Sequence, residues 1–369
     1  MISREAPGDA SAAERDCFSR ARELVVRYGW NSTCYQILNP GIDLWFASSG
    51  RAVVGYVVRK GVRVVAGAPV CSENDLDKVV DEWEEVCLQA RHKVCYFGAE
   101  GRMRRCLAGR SSYATVSLGA QPNWNPQNWV AIFDKDKTLR GQRSRAANKG
   151  VSVREWNGQE ASVSADLKKC LREWLLTRGL PAMHFLVEPE TFAHLDDRRV
   201  FVAELRGKPV GFLVLSPVPE RSGWLTEQFP RGKGAPNGTV EILMDTAIRA
   251  VAESGAQYVT MGIVPLSLHG SPDLGPNPPW MNLLTGWVRA HGRRFYNFDG
   301  LDNFKSKFRP QEWEPIYVIS KEDAFSFRTL YAIAAAFSDG SPIWAVTRGL
   351  GRAAAQELRW LRRDRARRP

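Results

Sequence analysis

Lys305, Lys307 and Arg309 alternate along "NFKSKFRP". Side chains of an extended chain alternate between faces, so this spacing would set three cations on one face. Such a face suits a phosphate-bearing ligand, although a solvated charged strand shows the same pattern. The surrounding stretch, "YNFDGLDNFKSKFRPQEWEPIY" from Tyr296 to Tyr317, mixes rings and both signs of charge in a segment that reads as loop-like. Glu241 is the second candidate. It falls in the first turn of a helix that follows the Gly/Pro-rich "RGKGAPNG", where the helix dipole favours a carboxylate. A purely structural N-terminal charge would look the same. The third feature is "KDKTLRGQRSRAANKG", residues 135–150, which carries Arg140, Arg143, Arg145 and Lys149 with Asp136 as its one acid. It is poorly matched for pairing along a helix and so is open to an anionic partner.

Other chemistries are missing from the pattern. There is no GxSxG, HExxH, Walker loop or dinucleotide-binding glycine fingerprint. The five histidines share no metal-like spacing, and the seven cysteines include no CxxC, so no metal or disulfide framework is expected. Reduced, mostly buried thiols are the expected state.

These residues need elements to hold them. With 369 residues, 44% hydrophobic and 25% charged, the chain can bury two ordinary cores. A helix over 14–30 precedes "DLWFASSGRAVVGYVVRKGVRVVAGAPV", which reads as a three-stranded meander. An amphipathic helix over 75–92 and the strand "KVCYFGA" follow. "ATVSLGAQPNWNP" and "WVAIFD" read as strand and loop, and the basic stretch as a helix closed at Gly150. A second unit repeats the plan: a helix near 163–179, the hairpin "RVFVAELRGKPVGFLVLSPV", the strand "SGWLTEQF", the helix "TVEILMDTAIRAVAESGA" and the strand "YVTMGIVPL". The helix "WMNLLTGWVRAHG" and a last strand "PIYVIS" complete it. The expectation is α/β (α+β), with two similar units at 1–130 and 151–337, a basic linker helix at 131–150 and a basic tail at 338–369.

The formal charge is +11, and eight arginines against Glu357 and Asp364 between Ile343 and Pro369 supply about half of it. That excess favours RNA, phosphorylated ligands or an anionic membrane surface. No apolar run is long enough for a transmembrane helix, and the N-terminus lacks the apolar centre of a secretory signal. A cytoplasmic protein is expected, with any membrane contact peripheral, through the tail on the inner face.

"APNGTVEILMDTAIRAVAESGAQYVTMGIVPLS" followed by "FYNFDGLDNFKSKFRPQEWEPIY" resembles the cytosolic domain of the lysyl-phosphatidylglycerol (aminoacyl-phosphatidylglycerol) synthases. The family pattern is a PNG-x-M-[DE] helix start, a strand exit ending P-L-S and a YNF-x-GLR-x-FK-x-KF-x-P-x-WEPRY segment. "LRGQRSRAANKG" and "GRAVVGYVVRKGVRVVAGAPV" also resemble family segments, so the likeness runs over about residues 30–337. It implies two tandem GNAT-like domains, each a mixed, mostly antiparallel sheet flanked by helices. It also implies transfer of an aminoacyl group from aminoacyl-tRNA, as co-substrate without a further cofactor or metal, to a lipid hydroxyl. On that reading Glu241, Asp299 and Lys305 are catalytic candidates. Glu241 or Asp299 would bind the donor's α-amino group or act as base. Asn237, Asn297, Asp302, Lys307, Arg309, Glu314 and Ile316 would bind substrate, while Arg140, Arg143, Arg145 and Lys149 would hold tRNA phosphates. Two positions depart from the pattern: Asp302 and Ile316 stand where arginines are expected. The amino acid or the acceptor can therefore differ from lysine and phosphatidylglycerol. An acyl-CoA-dependent N-acyltransferase on the same fold, and a non-catalytic RNA- or membrane-binding protein, are the competing readings.

Overall fold

The computed structural model describes residues 12–177, 185–187, 192, 194–265, 267, 269 and 298–338, the side chains of 298 and 299 excepted. The expected helix over 280–292, Asn297 and the tail lie outside these residues. Among the described residues one twelve-stranded sheet runs through the molecule. Its strands are β1 (Asp43–Phe46), β2 (Val53–Arg59), β3 (Val62–Ala66), β4 (Lys93–Ala99), β5 (Ala114–Trp124), β6 (Val151–Trp156), β7 (Arg199–Leu205), β8 (Lys208–Val218), β9 (Gly223–Gln228), β10 (Tyr258–Thr260), β11 (Val264–Pro265) and β12 (Glu312–Ser320). Their order is β1-β2-β3-β4-β12-β5-β10-β9-β8-β7-β6, with β11 also on β5. Only β3–β4 and β9–β10 pair in parallel. Each of these pairs is joined through a helix, Leu76–Gln89 or Thr239–Glu253, so meander, helix and parallel strand occur twice.

Local chemistry accounts for the elements. Lys60-Gly61 and Arg206-Gly207 both take left-handed φ, the requirement of tight hairpin turns between Val-rich strands. Helix Leu76–Gln89 buries Leu76, Val79, Val80, Trp83 and Cys87, one apolar stripe facing the sheet. In the first half of the sheet this helix covers one face, and helices Ala12–Tyr28 and Phe327–Phe337 cover the other. In the second half, helix Thr239–Glu253 lies over one face and helix Ala165–Leu176 over the other. The α/β class with a mostly antiparallel, helix-flanked sheet is as expected.

Three local expectations fail. "WVAIFD" lies in a helix, Trp129–Lys135, entered through a turn that Asn125 caps with its side chain and Pro126 begins. "YVTMGIVPL" is not one strand: Met261–Ile263 leave the sheet between β10 and β11, and Gly262 turns there with φ +68°. Residues 298–306 are helical, not extended or loop-like. Leu301, Phe304, Lys305 and Phe308 recur at helical spacing within that charged run, and the ring of Phe308 is fully buried.

Candidate functional site

The helix Phe298–Ser306 decides how the candidate cations are placed. Lys305 is buried, and its Nζ donates to the carbonyls of Met261, Gly262 and Ile263 at 2.6, 2.8 and 3.0 Å. All three ammonium protons are thus spent on the backbone that breaks the strand. Burial lowers the lysine pKa to about 7, with Asp302 opposing that shift. Lys307 reaches a different partner, Glu241 Oε1 at 2.7 Å. Arg309, at φ +54°, turns outward to Asp136 at 3.0 Å. The single cationic face expected from alternation is therefore absent. Helical spacing and a left-handed residue send the three charges in three directions.

Glu241 is buried in the first turn of helix Thr239–Glu253. Gly238 begins that helix with φ +96°, and a Cβ there would stand 2.0 Å from the Gln142 carbonyl. Only glycine lets the loop close against helix Lys137–Asn148. Asn237 is exposed in the preceding turn. On the basic helix, Arg140, Arg145 and Lys149 face solvent, but Arg143 does not. Arg143 pairs with buried Asp245 at 2.7 Å and with Asp134 at 3.5 Å, a structural tie that removes it from the open cationic surface.

A buried polar cluster that the sequence did not disclose lies where β4, β5, β10 and β12 meet. Glu100 accepts from the Ser32 backbone N–H at 2.7 Å and from Gln121 Nε2 at 3.1 Å. Glu314 accepts from Gln121 Nε2 at 3.0 Å, from the Tyr258 hydroxyl at 3.1 Å and from both Arg221 nitrogens. Arg221 also approaches Glu100 at 3.4 Å and lies over the Tyr258 ring at 3.7 Å. Burial pushes the Glu100 carboxyl up, against the pull of Arg221. Burial also opposes ionisation of Glu314, but the bonds from Arg221, Gln121 and Tyr258 outweigh it and hold that carboxyl below the usual range. Ser32, Glu100, Gln121, Arg221, Tyr258 and Glu314 come from six distant segments with no shared motif. Only Glu314 was singled out by sequence.

Residues 22–320 match the family described as Phosphatidylglycerol lysyltransferase, C-terminal. The chain belongs to that family. Among curated relatives of this lysyltransferase family, the Lysylphosphatidylglycerol biosynthesis bifunctional protein LysX of Mycobacterium ulcerans is 24% identical over 314 residues, covering 81% of this chain and 27% of the relative. LysX of Mycobacterium tuberculosis is 25% identical over 323 residues, with 81% and 26% covered. The chain thus spans about a quarter of the length of these curated relatives. The fold is shared with the C-terminal domain of a putative lysylphosphatidylglycerol synthetase from Agrobacterium fabrum (TM-score 0.74, 21% identity, 88% of this chain and 98% of that one). It is shared too with L-PGS from Bacillus licheniformis (TM-score 0.70, 19% identity, 90% and 95% covered).

The two departures from the lysyltransferase family pattern have distinct environments. Asp302 accepts from the hydroxyls of Ser267 and Ser306, each at 3.1 Å, and sits 3.2 Å from His269 Nε2. His269 in turn stacks on Trp313 with centroids 4.3 Å apart. Ile316 is buried in β12 opposite Gly119, beside a register shift. For Asp299 and Asn297 the described side chains give no placement.

Proposed function

We propose that this chain is a transferase that moves an aminoacyl group from aminoacyl-tRNA to a hydroxyl of a lipid, phosphatidylglycerol or a related acceptor. The family match across residues 22–320 carries this reading. The segment where the sequence most resembles the family pattern folds against the helix that bears Glu241, through the Glu241–Lys307 pair. The donor ester is already activated, so the protein's work is positioning and charge stabilisation. The lipid hydroxyl attacks the ester carbonyl, a new ester C–O bond forms, the bond to the terminal ribose oxygen breaks, and the hydroxyl proton ends on that oxygen. Glu241 is the carboxylate placed to hold the donor's α-ammonium or to accept the proton, with Lys307 as the cation it exchanges. Lys305 is a positioning residue that keeps the Met261–Ile263 carbonyls turned out of the sheet. Arg140, Arg145 and Lys149 would take RNA phosphates. Asp302, held between two serines and His269, supplies a negative group where the family pattern has an arginine, which directs the chain toward a different donor or acceptor.

No described helix is long and apolar enough to cross a membrane. Attachment to an anionic surface through residues 343–369 is part of the proposal, and vesicle flotation with and without the tail tests it. The reaction is tested with radiolabelled aminoacyl-tRNAs and total lipid, followed by extraction into organic solvent. Label in the lipid phase that ribonuclease treatment of the donor prevents is the expected result. Label that depends on acetyl-CoA and not on tRNA, or no transfer from any aminoacyl-tRNA, refutes the reading.

A further inference from the structure

Asp302 and Trp313 together fix one histidine. Asp302 Oδ1 lies 3.2 Å from His269 Nε2, and the imidazole stacks on Trp313 with centroids 4.3 Å apart and ring planes 17° apart. The His269 backbone N–H donates to Ser267 Oγ at 3.2 Å, and that hydroxyl donates to Asp302 Oδ2 at 3.1 Å. Ser306 donates to Asp302 Oδ1, also at 3.1 Å. The carboxylate is thus anchored both by its own helix and by the segment that carries the histidine.

A carboxylate oxygen offers only lone pairs, so in the neutral ring the nitrogen facing it carries the proton. That nitrogen is Nε2, which leaves the lone pair on Nδ1. Among the described residues no hydrogen bond engages Nδ1, and the His269 side chain is 48% exposed. Trp313 therefore sets the plane of the ring and Asp302 its tautomer, while the unprotonated nitrogen stays open. A base held by an orienting carboxylate is the arrangement that takes a proton from an attacking hydroxyl. The other described histidines lack it: His92 Nδ1 accepts from Arg63, and His194 packs on the Phe18 ring. An arginine at position 302, as in the family pattern, has no lone pair to set against the N–H, so the pair belongs to this chain.

We propose that His269 is the general base of the transfer reaction, with Asp302 and Trp313 as its positioning residues. This rests on the aminoacyl-transfer reading and gives the proton a path within it. The attacking hydroxyl loses its proton to Nδ1 as its oxygen bonds to the ester carbonyl carbon. The imidazolium passes that proton to the ribose oxygen as the carbon–oxygen bond to it breaks, and the neutral ring is restored. Glu241, which already holds the Lys307 ammonium, keeps the role of ammonium holder. Lys307 lies between Asp302 and Trp313 in the chain, so one segment carries the partner of Glu241 and both anchors of His269.

The test measures steady-state transfer from aminoacyl-tRNA to lipid by the full chain and its variants, with and without added imidazole. His269→Ala should lower kcat by roughly a hundredfold or more with KM little changed. Added imidazole should restore part of that loss, and 4-methylimidazole, the stronger base, should restore more, while neither speeds the wild type. His269→Gln can keep the contact with Asp302 but supplies no base. It should be as slow as His269→Ala while melting like the wild type, and it stands in if the alanine variant unfolds. Asp302→Ala should lower kcat by about tenfold or more, and imidazole should not restore it. Full activity in the histidine variants, a rise in KM with kcat unchanged, or a loss in folded His269→Ala that no imidazole restores overturns the proposal and leaves the transfer reading standing. No transfer by the wild type from any aminoacyl-tRNA overturns both.

Discussion

Arg221→Met gives the sharpest test of the buried cluster. The substitution keeps most of the side-chain volume and removes the one guanidinium that Glu314 and Glu100 share. Two largely buried carboxylates then lose the cation bonded to both of them. Breaking such a pair typically costs about 3–5 kcal/mol, and the Arg221 side chain is 26% exposed, which argues for about 3. The loss must depend on pH. In the wild type the Glu314 pKa is depressed, so its contribution is present above the unfolded carboxylate range and is lost as pH falls through the folded value. In Arg221→Met the cation is gone and only the neutral donors Ser32, Gln121 and Tyr258 still oppose burial, so both carboxyls shift upward. Folding of the variant then favours protonation, and its stability falls as pH rises through those values. The gap between the two proteins is therefore small near pH 4 and widens toward pH 7.5. Urea unfolding followed by tryptophan fluorescence at both pH values measures it. A gap under about 1 kcal/mol at pH 7.5, or one of equal size at both pH values, would refute the assignment. Arg221→Met/Glu314→Leu should recover part of the loss, because it removes the stranded charge.

Glu241→Ala should abolish aminoacyl transfer while the protein still melts cooperatively, and full activity would remove Glu241 from the site. Lys305→Met leaves three buried or half-buried carbonyls without their donor, so amide exchange around 261–264 should quicken, and unchanged protection would show that the lysine pins nothing. Gly238→Ala, which forces a Cβ against the Gln142 carbonyl at a positive φ, should destabilise by roughly 2 kcal/mol or more in thermal melts. Arg140→Ala and Arg145→Ala should each lower the salt dependence of tRNA binding by about one unit of slope, measured by filter binding. Arg143→Ala should chiefly cost stability.

Local patterns carried much of the fold. Both meanders, their Lys60-Gly61 and Arg206-Gly207 turns and the helices before the parallel strands follow from alternation, helical periodicity and turn chemistry, which act over a few residues. The failures lie where distant groups decide. Met261–Ile263 read as strand because nothing nearby shows that the ammonium of Lys305 collects their carbonyls. The same lysine read as a ligand cation because alternation was assumed where Leu301, Phe304 and Phe308 set a helical period. At the candidate site, Glu241 and Lys307 were both singled out, but their pairing spans two elements and was not legible. Nor was the set Glu100, Gln121, Arg221 and Tyr258, four polar residues brought together by the order of the strands and by the turns that leave them.

That order bears on how the protein is made. β12 lies between β4 and β5, yet it is synthesised almost two hundred residues after β5. Until it leaves the ribosome, β4 and β5 keep open edges that another chain could pair with. The emerging N-terminal half cannot finish its own sheet, and the closing step joins segments far apart in the chain, the slow class of pairing. Translation that stops before Glu312 should therefore leave an aggregation-prone product and not a smaller folded protein.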